Sequence, residues 1–180
     1  MRKLLKLLLA LLVACLLMVA FRSLVISIYL VDGNGLEPEF QEGDRVLVNR
    51  WSYGLRTGGL GLFQYGRLCR QTVSRGDIVA YENPLSGRHG EVLFGRVCAL
   101  PGDTVMYKGQ MLIAPSLADC ADADYYWIKA LNVQNPVDSR QLGFISEQCI
   151  IGRVFCVAYS LDPDQSLFLS LRRHRLFVKK

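Results

Sequence analysis

The side chains that could serve as nucleophile and base in this 180-residue chain are its serines, its lysines and its two histidines. A serine hydroxyl is an effective nucleophile only when a neighbouring base takes its proton. The candidate serines are Ser23, Ser74, Ser86 and Ser139. The candidate lysines, Lys108 and Lys129, lie in other segments of the chain, and His89 has no evident partner. The spacing by itself predicts no nucleophile–base pair.

Six cysteines and one acidic run are the groups that could hold a metal or form disulfides. The cysteines are irregularly spaced, with no Cys-x-x-Cys pair of the kind that binds zinc. The acidic run 119–124 lacks the spacing of a calcium loop. We therefore expect no metal and no cofactor. Cys15 lies in an apolar segment, Cys98 and Cys156 are expected to be buried in strands, and a single bridge among Cys69, Cys120 and Cys149 stays open.

Residues 1–31 have the features of a membrane signal anchor. The apolar run 4–21 contains one charge, and at about 1.5 Å per residue it is just long enough for a bilayer core of roughly 30 Å. A cleaved signal peptide is the alternative, but its apolar region is usually about 7–15 residues long and ends in a small-x-small site. Arg2, Lys3 and Lys6 favour a cytoplasmic N-terminus, with residues 32–180 on the other side of the membrane.

The net charge of +5 arises largely near the two ends of the chain. Residues 172–180 interleave basic side chains with Leu176, Phe177 and Val178. Such a run can bind nucleic acid, but a domain exported across a membrane does not meet it, so we expect no nucleic-acid partner. Attraction to anionic lipid headgroups and a solvated terminal strand are the remaining interpretations.

Short apolar runs separated by turn signals predict an all-β domain. Turns are indicated at Gly43, Gly76, Pro101 and Gly109, and no helical period appears outside residues 1–31. The segments predicted to contain strands are 24–31, 46–48, 75–81, 92–100, 104–107, 111–113, 125–128, 148–159 and 167–171.

The stretch 31–49 carries most of the information about function. It leaves the apolar segment through a turn at 33–35, whose residues tolerate positive φ, and enters an alternating strand after Pro38. It resembles the nucleophile box of type I signal peptidases, the membrane-anchored Ser/Lys proteases of the S26 family. That box reads Gly-x-Ser-Met-x-Pro, followed by Gly-Asp and a hydrophobic strand. Leu36, Glu37 and Pro38 align with the box, whereas its nucleophilic serine falls on Gly35.

Four further blocks match the family in the family's order: residues 43–56, 75–79, 96–103 and 132–140. The resemblance implies an all-β, signal-peptidase-like barrel or sandwich domain (residues 32–180) behind a single transmembrane helix (residues 1–31). It also leads us to expect an ion pair between Asp138 and Arg140. The positions implied as binding or scaffold residues are Gly33, Leu36, Glu37, Pro38, Asp77, Arg96, Asp103, Asp138, Ser139 and Arg140.

The departures from the family pattern fall where its chemistry would act. The family's general-base lysine, which deprotonates the serine, corresponds to Gly95, and the serine that orients this lysine corresponds to Pro136. In the last block, the family's Gly-Asp is replaced by Ala130-Leu131 and its first arginine by Val133. The resemblance therefore implies that no catalytic residue pair is intact. We expect the turn at 33–35 to face Gly95 across a groove.

Two functions follow from this comparison of motifs. The preferred one is a non-catalytic signal peptidase homologue of the bacterial inner membrane that binds extended segments of exported or surface proteins. The alternative is a divergent active signal peptidase that cleaves leader peptides with substitute residues. The implied partners are membrane lipid and exported polypeptide, and the resemblance leaves open a further partner in secretion or surface-assembly machinery.

Overall fold

The computed structural model describes residues 2–31, 39–57, 65–86, 91–119, 121–131, 137–162, 172 and 178–179. Helix α1 (Arg2–Val25) passes directly into strand β1 (Ile26–Leu30), so the predicted change from helix to strand near residue 24 is confirmed. The leucine side chains of α1 between Leu4 and Leu17 are exposed. Within the described residues, no helix combines the length and the hydropathy required for a membrane crossing. The membrane anchor stays a prediction.

Eight strands form one antiparallel sheet. Besides β1, they are β2 (Asp44–Asn49), β5 (Ile78–Glu82), β6 (Val92–Ala99), β9 (Tyr125–Lys129), β10 (Ile145–Ser146), β11 (Ile150–Ser160) and β12 (Val178–Lys179). Their order is β1-β2-β11-β5-β6-β9-β10, with β12 paired to β11 off this path. The long strand β11 lies inside the sheet and contains two register shifts opposite β2, which bend the strand.

Two short hairpins lie outside the main sheet. Strands β3 (Leu55–Thr57) and β4 (Gly66–Leu68) form the first, and β7 (Thr104–Tyr107) and β8 (Gln110–Ile113) form the second. The second hairpin closes through Lys108 and Gly109, which have φ angles of 50° and 77°. Two positive φ angles in a two-residue loop match the twist of a β-hairpin, so the turn predicted at Gly109 is confirmed.

The core consists of two apolar clusters on opposite faces of β5. Ile78 and Ala80 belong to the first cluster, while Val79 and Tyr81 belong to the second. Successive side chains of a strand point to opposite faces, so one strand supports both clusters. Around β5 the sheet is therefore covered on both sides, which explains why its sequence is a continuous apolar run.

Several sequence predictions differ from the structure in detail. The long strand predicted from residue 148 begins at Ile150, because Glu147–Cys149 form a 3-10 turn capped by the Ser146 side chain. A short helix, α2 (Ser139–Leu142), was not predicted. Cys156 is buried as expected, whereas Cys98 is only half-buried. Cys69 and Cys149 are free thiols, and Cys120, His89 and the run 167–171 lie outside the described residues.

Candidate functional site

The nucleophile position and its neighbours, Gly33, Gly35, Leu36, Glu37 and Pro38, lie outside the described residues. The groove expected between this turn and Gly95 stays a prediction. The two flanks of the turn are described and lie side by side. Val31 N donates to Asp44 O at 2.8 Å, and Gly43 N donates to Val31 O at 3.1 Å. The segment between them therefore leaves and re-enters the sheet at one point.

Glu39, which follows the stretch 32–38, contacts the matched block 96–103, which begins directly after Gly95. Glu39 Oε1 lies 2.5 Å from Arg96 Nη2, and Arg96 immediately follows Gly95. Arg96 also donates from Nη1 to Gly76 O at 3.1 Å. This hydrogen bond connects the turn at Arg75-Gly76-Asp77 to the same arginine side chain. A cavity of about 350 Å³ opens at this junction; it is lined by Glu39, Gly76, Asp77, Ile78, Arg96, Arg153 and Val154.

Asp77 is a buried carboxylate that joins three segments of the site. It accepts a hydrogen bond from Tyr53 Oη at 2.8 Å and another from Ser74 N at 3.2 Å. Arg153 Nη2 lies 3.3 Å from its second oxygen. Burial, and next the hydrogen bond to Asp77, raise the pKa of Tyr53 far above its usual value, so the phenol remains a proton donor. Asp77 therefore has a structural role in joining β5 to the block 43–56.

Asp103, which lies shortly after the end of β6, also joins two matched blocks. Its Oδ2 accepts from Leu100 N at 2.7 Å and lies 2.6 Å from Arg75 Nη2. The hydrogen bond from the Leu100 backbone, followed by that from Arg75, holds the pKa of Asp103 below its usual value. Arg75 precedes Asp77 by two positions, so the second and third matched blocks are linked directly to each other.

Gly95, which the resemblance aligns with the family's base, lies in β6 opposite Val79 of β5. On its other side β6 packs so closely against β9 that a Cβ atom here would lie 2.6 Å from Ile128 Cγ2 and 2.7 Å from Lys129 O. Real Cβ atoms do not approach other atoms below 3.0 Å. Any larger residue at this position therefore requires β9 to move, and glycine fits the local packing.

The last family block, Asp138 to Arg140, is built on the outer edge of the same strand β9. Asp138 is fully buried and caps α2 by accepting from Arg140 N at 2.8 Å. Its Oδ2 also lies 2.8 Å from Arg140 Nη2, which confirms the predicted ion pair. Burial acts to raise the pKa of Asp138, but the hydrogen bonds from Arg140 and from the Ala130 and Arg140 backbone outweigh it and keep this pKa below its usual value.

Residues 128–130, at the end of β9 and directly after it, join Gly95 to this last block. Ile128 N donates to Ser139 Oγ at 2.8 Å, and Ala130 N donates to Asp138 Oδ2 at 2.9 Å. On the opposite edge of the strand, Lys129 O faces Gly95. The structure thus brings two separated family blocks against one short segment. Pro136, Asn132 and Val133 lie outside the described residues.

Two of the substitute serines considered from the sequence contact backbone groups. Ser139 is buried and its hydroxyl accepts from Ile128 N, while the Ser86 hydroxyl donates to Asn83 O at 2.9 Å. Lys129, which the sequence placed in another segment, is the cross-strand partner of Arg96. Among the described residues, no hydrogen bond joins a serine hydroxyl to a lysine amine.

Two arginines that pair with Glu147 were missed by the sequence analysis. The Arg67 side chain is only 1% exposed, and its Nε lies 3.3 Å from Glu147 Oε1. Arg67 also donates to Gly54 O at 3.2 Å and to Glu147 O at 2.9 Å. Arg70, which is 45% exposed, pairs with the same glutamate. No pattern marks Arg67 in the sequence, because Glu147 lies 80 positions away.

The antiparallel sheet defines the chain as a predominantly β protein. A family model described as signal peptidase, peptidase S26, matches residues 4–116, which is more than half of the chain. The chain therefore belongs to the S26 signal peptidase family. The match includes the blocks around Asp77, Gly95 and Asp103 and ends before Asp138.

Named relatives differ in how much of each chain is aligned. Signal peptidase I V of Bacillus subtilis (strain 168) is 33% identical over 100 residues, covering 56% of this chain and 48% of the relative. Inactive signal peptidase IA of Staphylococcus aureus (strain COL) is 24% identical over 178 residues, covering 86% of this chain and 91% of the relative. Signal peptidase I of Rickettsia bellii is 31% identical over 91 residues, covering 47% of this chain and 30% of the relative.

Proposed function

We propose that this protein is a non-catalytic member of the signal peptidase family that binds extended segments of exported or surface proteins. The observation that carries the proposal is the packing at Gly95, where even a Cβ would lie 2.6 Å from Ile128 Cγ2. A general base needs a side chain that reaches the nucleophile. At Gly95 the base is absent and the space for it is filled by β9.

The sequence at the nucleophile position supports the same conclusion. By resemblance, the serine of the family box corresponds to Gly35, which has no side chain. A protein that has lost both members of a Ser/Lys pair keeps only the rate contributed by binding and by polar donors. Similarity to a relative named inactive signal peptidase IA, over 86% of this chain, is consistent with this function.

Binding does not need the lost residues. Extended peptides are held mainly by main-chain hydrogen bonds to strand edges, with side-chain pockets adding selectivity. The links Tyr53–Asp77, Arg75–Asp103 and Asp138–Arg140 brace the strands that would form such a surface. The cavity beside Arg96 offers charged groups of both signs to a peptide. The scaffold is therefore suited to binding without cleavage.

Membrane attachment is the second part of the proposal. We infer that residues 1–31 anchor the chain in the bacterial inner membrane, with the N-terminus cytoplasmic and the domain 32–180 outside. The exposed leucines of α1 support this, as does its direct continuation into β1. The outward-facing Ile26, Ile28 and Leu30 of β1 are 44%, 41% and 51% exposed, which suits a surface next to lipid. Arg2, Lys3 and Lys6 set the orientation.

A cleavage assay and a binding assay with the same leader peptide test this function. The detergent-solubilised full chain should bind the fluorescein-labelled peptide and release no product. Turnover abolished by Ser74→Ala or Ser86→Ala would establish the divergent active peptidase instead. Absence of both binding and turnover would reject both functions.

A further inference from the structure

Strand β11 is covered unevenly along the edge that faces β5. β5 pairs with this edge only between Ile150 and Arg153. Beyond Arg153 no β5 residue is left to pair, because Ile78 is the first residue of β5. The chain before β5 turns at Gly76 toward β6, where Val97 O accepts from Gly76 N at 2.8 Å. The two strands thus separate at a fork, and the next part of the β11 edge needs another partner.

The partner is β12, which comes from the far end of the described chain. Val178 and Lys179 pair antiparallel with Val157 and Cys156. Because β2 pairs with the same two residues of β11 on the opposite edge, β12 must lie on the edge that β5 leaves uncovered. The protein therefore extends its own sheet by adding one of its own segments as a strand.

β12 forms a shorter pairing with β11 than β2 does. It contributes two residue pairs, whereas β2 is paired with β11 from Asp44 to Asn49. A pairing of only two residues opens at little free-energy cost. Because β2 supports β11 independently, β12 can leave without loosening the central strand.

A separate contact keeps the released segment close. Arg172 N donates to Ser160 O at 3.0 Å, and its guanidinium lies 3.4 Å from Asp162 Oδ1 and donates to Gln41 Oε1 at 3.4 Å. Five residues separate this contact from β12. A segment tethered over so short a distance competes for its site at high effective concentration.

The fork also opens on the charged cavity. Arg153, Val154 and Ile78 form both the fork and part of the cavity wall, with Glu39 and Arg96 on the other side. Since β12 is antiparallel to β11, it runs from Val157 toward Val154 and hence toward the cavity. A peptide strand on this edge would gain main-chain hydrogen bonds and place a following side chain beside Arg96 and Glu39.

We propose that the β11 edge at Cys156 and Val157 is a strand-addition site for an extended polypeptide, and that β12 is its resident intramolecular competitor. The inference rests on the proposed peptide-binding function and names the part of the surface that binds. Occupation of the edge by β12 weakens peptide binding, because only the fraction of molecules with a free edge can bind the peptide.

Two variants of the full chain test it with the same labelled leader peptide. Val178→Pro removes the N–H donor from β12 and should lower the apparent Kd about fivefold to tenfold. Val178→Ala keeps the backbone N–H and is the matched control, which should bind like the unmodified protein. Circular dichroism melts confirm that both variants are folded.

The opposite variant fixes β12 in place. Lys179→Cys puts a cysteine opposite the natural Cys156, at a register suited to a cross-strand disulfide. Replacing exposed Cys69 by serine limits competing bridges. The oxidised variant should bind the peptide at least about fivefold more weakly, and dithiothreitol should restore binding.

The outcomes separate this inference from the proposed function. Peptide binding that is equal in the unmodified chain, Val178→Pro and the oxidised Lys179→Cys variant would overturn the role of β12 and leave the proposed function standing. Loss of binding in every form, including Val178→Pro, would reject the proposed function itself. Binding that is weak in the unmodified chain and tighter in Val178→Pro supports the inference, because it means that β12 competes for the site.

Discussion

Gly95 and Lys129 lie on adjacent strands, so close that a Cβ on Gly95 would lie 2.7 Å from the Lys129 carbonyl oxygen. The lysine contributes its backbone to this contact, and its side chain is not what meets Gly95. The contact changes how the glycine is interpreted. The position that the resemblance aligns with the family's base is part of the packing between β6 and β9, so we expect that replacing this residue alone does not restore a base.

Gly95→Ala should lower the free energy of unfolding by about 2 kcal/mol, because overpacking between two paired strands forces the backbone to shift. Urea denaturation of the detergent-solubilised protein measures the change. Gly66→Ala is a suitable control, since its added Cβ would meet only Thr57 Oγ1, at 3.2 Å, and it should cost less than half as much. Equal stability of Gly95→Ala and the unmodified protein would show that β9 can shift to accommodate the added Cβ without a cost in free energy.

The double variant Gly35→Ser with Gly95→Lys should regain little or no leader-peptide cleavage. A lysine at position 95 must be desolvated and oriented to act as a base, and errors of about 1 Å in its surroundings are enough to lose activity. Those surroundings have also changed at Pro136 and at Ala130-Leu131. Product formation is followed by mass spectrometry. Turnover close to that of an active signal peptidase run in parallel would contradict the packing argument.

Asp138→Asn should destabilise the protein at neutral pH by about 2 to 3 kcal/mol, since it weakens a buried carboxylate that is paired with Arg140. The folded pKa of Asp138 is lowered, so its stabilisation is present above the unfolded value of about 4 and is lost as the pH falls through the folded value. The stability difference between the two proteins should therefore be constant near pH 7 and shrink below about pH 4. A difference that grows on acidification would contradict this assignment.

Arg67→Ala should cost about 3 to 5 kcal/mol, because Arg67 is almost fully buried and its removal leaves Glu147 and several carbonyl groups poorly satisfied. Arg75→Ala removes an ion pair that is shorter, at 2.6 Å, but whose arginine is 62% exposed, and should cost less than about 1 kcal/mol. Thermal or urea unfolding of the two variants side by side measures the contrast. Similar costs would mean that burial does not govern these pairs.

Protease added to spheroplasts should digest the domain 32–180 and leave a fragment containing α1. The expectation follows from Arg2, Lys3 and Lys6 on the short N-terminal side. A cytoplasmic protein probed in the same sample serves as the control for intact membranes. Full protection of the domain would reverse the proposed topology.

Local features of this fold could be predicted from sequence, whereas contacts between distant segments could not. The Lys108–Gly109 turn and the Asp138–Arg140 pair each depend on residues within two positions of one another. Arg96 and Glu39 are 57 positions apart, and only the order of strands brings them together. Lys129 and Gly95 are likewise distant in the sequence, and they become neighbours only because β9 pairs with β6.

The central place of β11 also sets the order in which the domain can fold. β2 and β5 are made early, yet both wait for residues 150–160 to become their shared partner. Until those residues leave the ribosome, two apolar strands have unpaired edges that can pair with the wrong chain. Closure of the sheet is therefore a late, long-range step, and long-range pairing of this kind makes folding slow. During synthesis, the described sheet is most prone to aggregation just before its longest strand is made.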